Sequence, residues 1–294
     1  MAEAMKQSDK ALVLGGGGTT GIAWETGLLL GLRDGGMNVT DAGLVVGTSA
    51  GSVVGAQITT GLDLEALYAL QLQPIEQTKE QVVPFDFAAL MQVFTAGAGA
   101  ADAQTARARV GAAALAVKTM PEEARLEIIA ARLPVHEWPN KQRLAITAVD
   151  TQTGAWVIFD RNAAVPLALA VAASCAVPGI YPPITIGDHR YMDGGVRSGT
   201  NADIAKGARR VLIVRAETLD ASAMAGNIPH LTFEEELAEL QQADSQSLVI
   251  TPDEASTAAR GPNPLDASRR ALSVQAGREQ GRSLAASVRQ FWMD

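Results

Sequence analysis

The segment Val45-Val46-Gly47-Thr48-Ser49-Ala50-Gly51 centres a serine in a Gly-x-Ser-x-Gly pattern, between an apolar run and a helical pattern. A tight strand-to-helix turn of this kind exposes the hydroxyl at a helix N-terminus, where unpaired amides and the positive dipole end favour developing negative charge. Only small residues fit on either side, and Gly47 and Gly51 meet that need. A plainer alternative has the two glycines merely closing the turn, with Ser49 as an N-cap. A second candidate, Gly15-Gly16-Gly17-Gly18-Thr19-Thr20-Gly21, also separates an apolar run from a helical pattern. Its backbone amides can converge on an anion, either a phosphate or the oxyanion of a tetrahedral intermediate. The spacing Gly16-x-Gly18-x-x-Gly21 is shared with dinucleotide-binding folds, which need an acidic residue about 20 positions on, at the end of the second strand. Asp41 precedes that strand, and Ser49 holds its end. A nucleotide-binding oxidoreductase is therefore the weaker reading.

A nucleophilic serine needs a base. The three histidines sit in turn-like contexts: His136 before Glu-Trp-Pro139, His189 in a tight hairpin, and His230 just ahead of a helix-capping threonine. The order Ser49, an Asp, then His230 would suit a Ser-His triad, but no recognisable loop motif surrounds His230. Asp193 is distinctive, because it leaves a short apolar strand and meets Gly194-Gly195, where the backbone turns with little bulk nearby; a common Asp-Gly turn is its ordinary reading. One cysteine and no His-x-x-x-His spacing offer no metal site, so neither metal nor cofactor is expected.

These residues need strands to end on. Lys10–Leu14 and Leu44–Val46 read as buried strands, each followed by a helix (Gly21–Arg33 and Ser52–Thr60), which implies right-handed parallel crossovers and a sheet covered on both faces. Leu144–Val149 with Ala155–Phe159, and Ile184–Ile186 with Arg190–Met192, read as hairpins; the second delivers Asp193. Val211–Val214 and Leu248–Ile250 read as later strands, Thr232 to Glu235 as a capping box, and about Leu265 to Trp292 as a closing helix. Residues 62–135 turn Ala-, Gln- and Glu-rich and read as a helical cap inserted into one catalytic domain spanning 8–294.

Composition narrows the function classes. With 294 residues, 24 Lys plus Arg against 32 Asp plus Glu and a net charge of -8, no clustered cationic surplus is available to bind nucleic acid. A lone cysteine, Cys175, fits a reducing cytoplasm. No apolar stretch reaches the roughly 18 to 20 residues of a bilayer span, so any membrane contact is expected to be peripheral.

Glycine loop, Gly-x-Ser-x-Gly and Asp-Gly-Gly in this order resemble the patatin-like phospholipase family. Gly16 to Gly21 match its oxyanion loop, Gly47 to Gly51 its elbow, and Asp193, Gly194 and Gly195 its base motif; Ser174 to Pro178 look like its Ser-x-x-x-Pro block, and Asn201 follows at a fitting distance. The resemblance implies a three-layer α/β/α fold with a mainly parallel sheet, and a metal-free Ser49-Asp193 dyad. In it Gly16, Gly17 and Gly18 would form the oxyanion hole and Gly21, Gly47, Gly51, Gly194 and Gly195 would support the motifs. The implied activity is hydrolysis of fatty-acyl esters of lipids, of the lipase or phospholipase A type. A catalytically silent lipid-binding module is the alternative. Family members often carry Arg or Lys where this chain has Thr20, so a cation beside the oxyanion loop is expected to be missing.

Overall fold

The computed structural model describes residues 9–81, 83, 86–216 and 228–293; both ends of the expected 8–294 domain lie outside this set. Eight strands form one sheet: β1 (Lys10–Leu14), β2 (Leu44–Gly47), β3 (Arg143–Asp150), β4 (Trp156–Phe159), β5 (Ile184–Ile186), β6 (His189–Asp193), β7 (Arg210–Val214) and β8 (Gln246–Ile250). Their order is β5-β6-β3-β2-β1-β7-β8, with β4 also on β3. The five strands β3-β2-β1-β7-β8 run parallel, whereas β4 and β6 pair with β3 antiparallel and β5 with β6 antiparallel. Both expected hairpins are present.

Alternation along the central strands sorts their side chains onto two buried faces, as parallel strands covered on both sides require. Leu12, Leu14, Val45, Ile146 and Leu212 face one side, where they pack with α1 (Gly18–Asp34), α2 (Ala50–Thr59), α7 (Leu167–Ser174) and the C-terminal α10 (Arg270–Met293). Ala11, Val13, Val46, Ala145 and Ile213 face the other, under Leu240 of α8 (Phe233–Gln242) and the short turn Ala202–Ala205. The result is the expected three-layer α/β/α arrangement. Its α8 starts with the capping box read from sequence: Thr232 Oγ1 accepts from the Glu235 N–H and the Glu235 carboxylate accepts from the Thr232 N–H.

Helix α1 is held to α10 by glycine contacts. A Cβ on Gly27 or Gly31 would lie 2.1 or 2.0 Å from the Val274 or Arg278 carbonyl oxygen, and one on Gly277 would lie 2.3 Å from the Trp24 oxygen. Backbones this close leave α1 little freedom, which matters because its first residue ends the glycine loop. Helices α3 (Leu64–Leu72), α4 (Phe87–Thr95), α5 (Ala103–Ala116) and α6 (Glu122–Arg132) fall within the segment 62–135. Val93, Val110 and Ala114 of α4 and α5 pack on Val149 and Met192, at the strand ends beside Asp193. No helix among the described residues is long and apolar enough to cross a membrane.

Candidate active site

Ser49 sits between β2 and α2 with φ 52° and ψ -115°. A positive φ is uncommon for any residue with a Cβ, and a position of this kind persists only where its surroundings over-determine it. Here four hydrogen bonds do so. The Ser49 N–H donates to Ser174 Oγ at 2.9 Å, and the Ser49 carbonyl accepts from Ser52 Oγ at 2.7 Å, the Ser52 N–H at 2.9 Å and Cys175 Sγ at 3.2 Å. The neighbouring glycines are sterically required: a Cβ on Gly47 would lie 2.6 Å from Ser52 Cα, and one on Gly51 would lie 2.0 Å from the Leu14 carbonyl oxygen. The Ser49 side chain makes no capping hydrogen bond, so the N-cap alternative does not describe it.

The glycine loop leaves β1 next to this turn, since β1 and β2 are parallel neighbours with Leu14 opposite Gly47. Gly18 has φ 65°, and a Cβ there would lie 2.5 Å from the Pro264 carbonyl oxygen. The three loop amides differ. Gly16 donates its N–H to the Gly199 carbonyl at 2.8 Å, so it has no proton to offer an oxyanion. This corrects the expectation that all three glycines donate. Gly17 and Gly18, at the helix start, have N–H groups that no described residue accepts, as does Ala50, the residue after Ser49. Gly21 donates its N–H to the Gly17 carbonyl at 2.9 Å and closes the first turn of α1.

Asp193 reaches the same level through strand register. Gly47 pairs with Ile146 and Ala148 pairs with Asp193, so Asp193 stands two residues up the sheet, at the height of Ser49. Its Oδ1 accepts the Gly195 N–H at 2.8 Å, while Oδ2 is buried without a close hydrogen-bond partner, and the Ser49 hydroxyl is near enough to the carboxylate to act on it. Burial pushes the Asp193 carboxyl up to about 7, against the opposing pull of the Gly195 N–H, the Ser49 hydroxyl and the Arg125 charge. Gly194 has no room for a Cβ, which would lie 2.1 Å from Thr147 Oγ1, and Gly195 has little, with Asp193 Oδ1 at 3.0 Å.

Ser49 borders a cavity of about 20 Å³, shared with Gly18, Thr19, Ala50, Cys175, Val177, Tyr181 and, from α6, Arg125 and Arg132. Arg125 lies over the Tyr181 ring with its guanidinium carbon 3.6 Å from the centroid, and Arg132 pairs with Glu80 at 2.7 Å. A space of this size holds a water molecule, whereas ligand pockets measure about 300–1,000 Å³. Of the segment 62–135, α6 thus borders the space beside Ser49, and that space is too small to enclose an acyl chain. No histidine borders the cavity. His189 Nδ1 lies 2.7 Å from Asp150 Oδ2 at the far end of β6, and His230 Nδ1 lies 2.8 Å from the Ile228 carbonyl oxygen. Among the described residues no group of three or more His, Cys, Asp or Glu is placed to hold a metal ion.

Thr20 also departs from expectation. It is fully buried, and Arg260, the last residue of α9 (Glu254–Arg260), brings its Nε to 3.4 Å from Thr20 Oγ1. A cation thus stands behind the glycine loop after all, supplied from a distant part of the chain. Neither Arg125 nor Arg260 carries a sequence signal, because each reaches the site only through tertiary packing.

A three-layer α/β/α fold with a strained serine at a strand-to-helix turn defines the class of protein. The patatin-like phospholipase family model matches residues 12–206, and the chain belongs to that family. Members are lipid acyl hydrolases, which supports ester hydrolysis as this chain's class of chemistry. No curated protein matches the chain. Among solved structures it is similar to VipD from Legionella pneumophila, with 15% identity and TM-score 0.46 over 95% of this chain and 67% of that one. It is also similar to the type III effector protein ExoU, with 15% identity and TM-score 0.38 over 94% of this chain and 53% of that one.

Proposed function

We propose that the chain is a serine acyl hydrolase of the lipase or phospholipase A type, working through a Ser49-Asp193 dyad. The observation that carries this reading is the backbone of Ser49, held at positive φ with its side chain unused by the helix it precedes. In the forward step the Asp193 carboxylate accepts the Ser49 hydroxyl proton as the oxygen attacks the ester carbonyl. The negative charge that develops on the carbonyl oxygen is taken up by unpaired amides, Gly17 and Gly18 from the glycine loop together with Ala50. The alcohol leaves with the proton from Asp193. Asp193 then deprotonates water, which releases the fatty acid and restores Ser49.

Residues 62–135 act as the cap over this centre, and the substrate is met at a lipid surface. Five of the seven large apolar side chains exposed among the described residues lie in this segment: Leu70, Leu72, Phe87, Leu115 and Val117. A cap that presents apolar side chains outward and arginines inward suits opening against lipid. The test is labelling with a neutral fluorophosphonate followed by peptide mapping. The reading requires adduct on Ser49 alone and none in Ser49→Ala or Asp193→Asn. A folded protein that binds fatty acid but takes up no probe would be a silent lipid-binding module.

A further inference from the structure

We infer that Arg260 is a positioning residue of the acyl-transfer site, fixing and polarising the peptide group whose N–H receives the oxyanion. The inference rests on the Ser49 reading above. Arg260 is fully buried, and its polar surroundings are sparse. Nη2 donates to the Gly17 carbonyl at 3.2 Å and Nε to Thr20 Oγ1 at 3.4 Å, while Nη1 is buried without a partner. The guanidinium carbon lies 5.8 Å from the centre of the Trp24 ring. The one carboxyl that acts on it, Glu25, is itself fully buried, with neither oxygen hydrogen-bonded. A buried guanidinium with so few partners is costly, and an apolar side chain of similar size would fill the space more cheaply. Such a group is a candidate for work at a site.

The work follows from peptide geometry. The Gly17 carbonyl and the Gly18 N–H belong to one planar trans peptide, so they point in opposite directions. Arg260 holds the carbonyl end from behind, and Gly18 at the other end borders the cavity that contains Ser49. A cation on the oxygen draws electron density along the peptide and makes the opposite N–H a stronger donor. The short stretch after α9 supports the same loop twice more: the Pro264 carbonyl accepts the Thr20 N–H at 3.0 Å, and Leu265 borders the Ser49 cavity. Arg260, Pro264 and Leu265 lie beyond 206, where the family match ends. Burial drives the Glu25 carboxyl well above the usual carboxylate range, and burial lowers Arg260 to about 10, which leaves the guanidinium charged at neutral pH.

The experiment compares wild type, Arg260→Gln, Arg260→Lys, Arg260→Ala and the double variant Thr20→Arg with Arg260→Ala, using p-nitrophenyl butyrate as substrate and thermal unfolding as the control. Loss of one oxyanion-hole donor costs about 100- to 1,000-fold in kcat, and a residue that acts through such a donor costs a part of that. Arg260→Gln should therefore lose at least about tenfold in kcat with KM changed less than about threefold, and Arg260→Lys should recover part of the loss. If Arg260→Gln fails to fold, the double variant, which carries the guanidinium on α1 instead, decides: it should recover turnover that Arg260→Ala lacks. A folded Arg260→Gln with kcat within twofold of wild type would overturn the inference, as would a loss that neither lysine nor the relocated arginine repairs. Wild-type protein that neither turns over the ester nor takes up fluorophosphonate would overturn the Ser49 reading itself. That result is distinct from a wild type that reacts while Arg260→Gln is unaffected.

Discussion

Asn201 donates from Nδ2 to Thr48 Oγ1 at 3.0 Å, and so ties the residue before Ser49 to the chain that follows Asp193. The same amide lies 2.7 Å from the Ser198 carbonyl and 3.3 Å from the Gly194 carbonyl, and Arg197 Nη1 donates to Asn201 Oδ1 at 2.7 Å. Thr147 Oγ1, 2.9 Å from Thr48 Oγ1, completes a buried polar cluster between the two motif-bearing turns. Neither turn can move without breaking this cluster, which gives Asn201 a second-hand influence on the Ser49 to Asp193 geometry.

Replacing Asn201 by Ala should therefore reduce kcat by about 10-fold or more while KM stays within about threefold, because the loss is one of alignment. Stability should fall by about 1–3 kcal/mol from the buried partners left unsatisfied. Steady-state kinetics and urea unfolding check both. Turnover unchanged in a destabilised variant would mean that the cluster serves folding alone.

A different balance is expected at Ser49. Its φ of 52° strains any residue with a Cβ, whereas glycine adopts it freely. Ser49→Gly should abolish hydrolysis and raise stability by about 1–2 kcal/mol, and Ser49→Ala should abolish hydrolysis without that gain. Comparing the two unfolding midpoints isolates the backbone contribution. Equal stability in the two variants would show that the turn stores no strain.

The Asp193 carboxyl, pushed up to about 7 by burial, fixes the pH behaviour. As a base it must be ionised, so log kcat/KM should rise with pH up to about 7 and level off above it. The limb resembles that of a histidine, but Gln at His136, His189 or His230 should leave it in place. The linkage runs the same way. Folded Asp193 keeps its proton to about pH 7, and the unfolded chain releases it near pH 4, so the folded state binds more protons between these values and stability falls as pH rises through that window. Asp193→Asn should be inactive yet more stable than wild type at pH 8, by up to about 4 kcal/mol, with the two converging at pH 4. A limb that moves only in a histidine variant would replace the dyad with a Ser-His mechanism.

The parts of the site legible in the sequence are those encoded by neighbours along the chain. Gly47 and Gly51 announce the turn around Ser49 because each forbids a Cβ, and Asp193 stands out because Gly194 and Gly195 follow a short apolar strand. Hairpins and the Thr232 cap were readable for the same local reason. What escaped was set by residues far apart in sequence. Gly16 loses its donor role to Gly199, a contact between separate loops. Arg260 ends a seven-residue helix with no apolar period to mark it, and Arg125 looks like one more charged residue of α6 until its ring contact with Tyr181 is seen. The raised pKa of Asp193 belongs to burial, which composition along a strand does not report.

The small cavity beside Ser49 yields the last prediction. At about 20 Å³ it is too small to enclose an acyl chain, and the proposed role of 62–135 as a cap has α6 shift when a long-chain ester binds. The N-terminal end of α6 is latched to the β5-β6 hairpin by Glu122, whose carboxylate accepts the Thr185 N–H at 2.6 Å and the Thr185 hydroxyl at 3.0 Å and lies 3.5 Å from Arg190 Nη2. Glu122 is some distance in chain and chemistry from the dyad, and its charged bonds are partly exposed, so removing them should cost no more than about 1–2 kcal/mol. Glu122→Ala should favour the opened arrangement. We expect kcat/KM for a decanoyl ester to rise by about 3- to 10-fold, with kcat/KM for the acetyl ester, which needs little opening, within twofold of wild type. A parallel change in both esters would show that the latch sets overall stability of the site, and a fall in the decanoyl rate alone would mean that the closed position of α6 is the one that binds the chain.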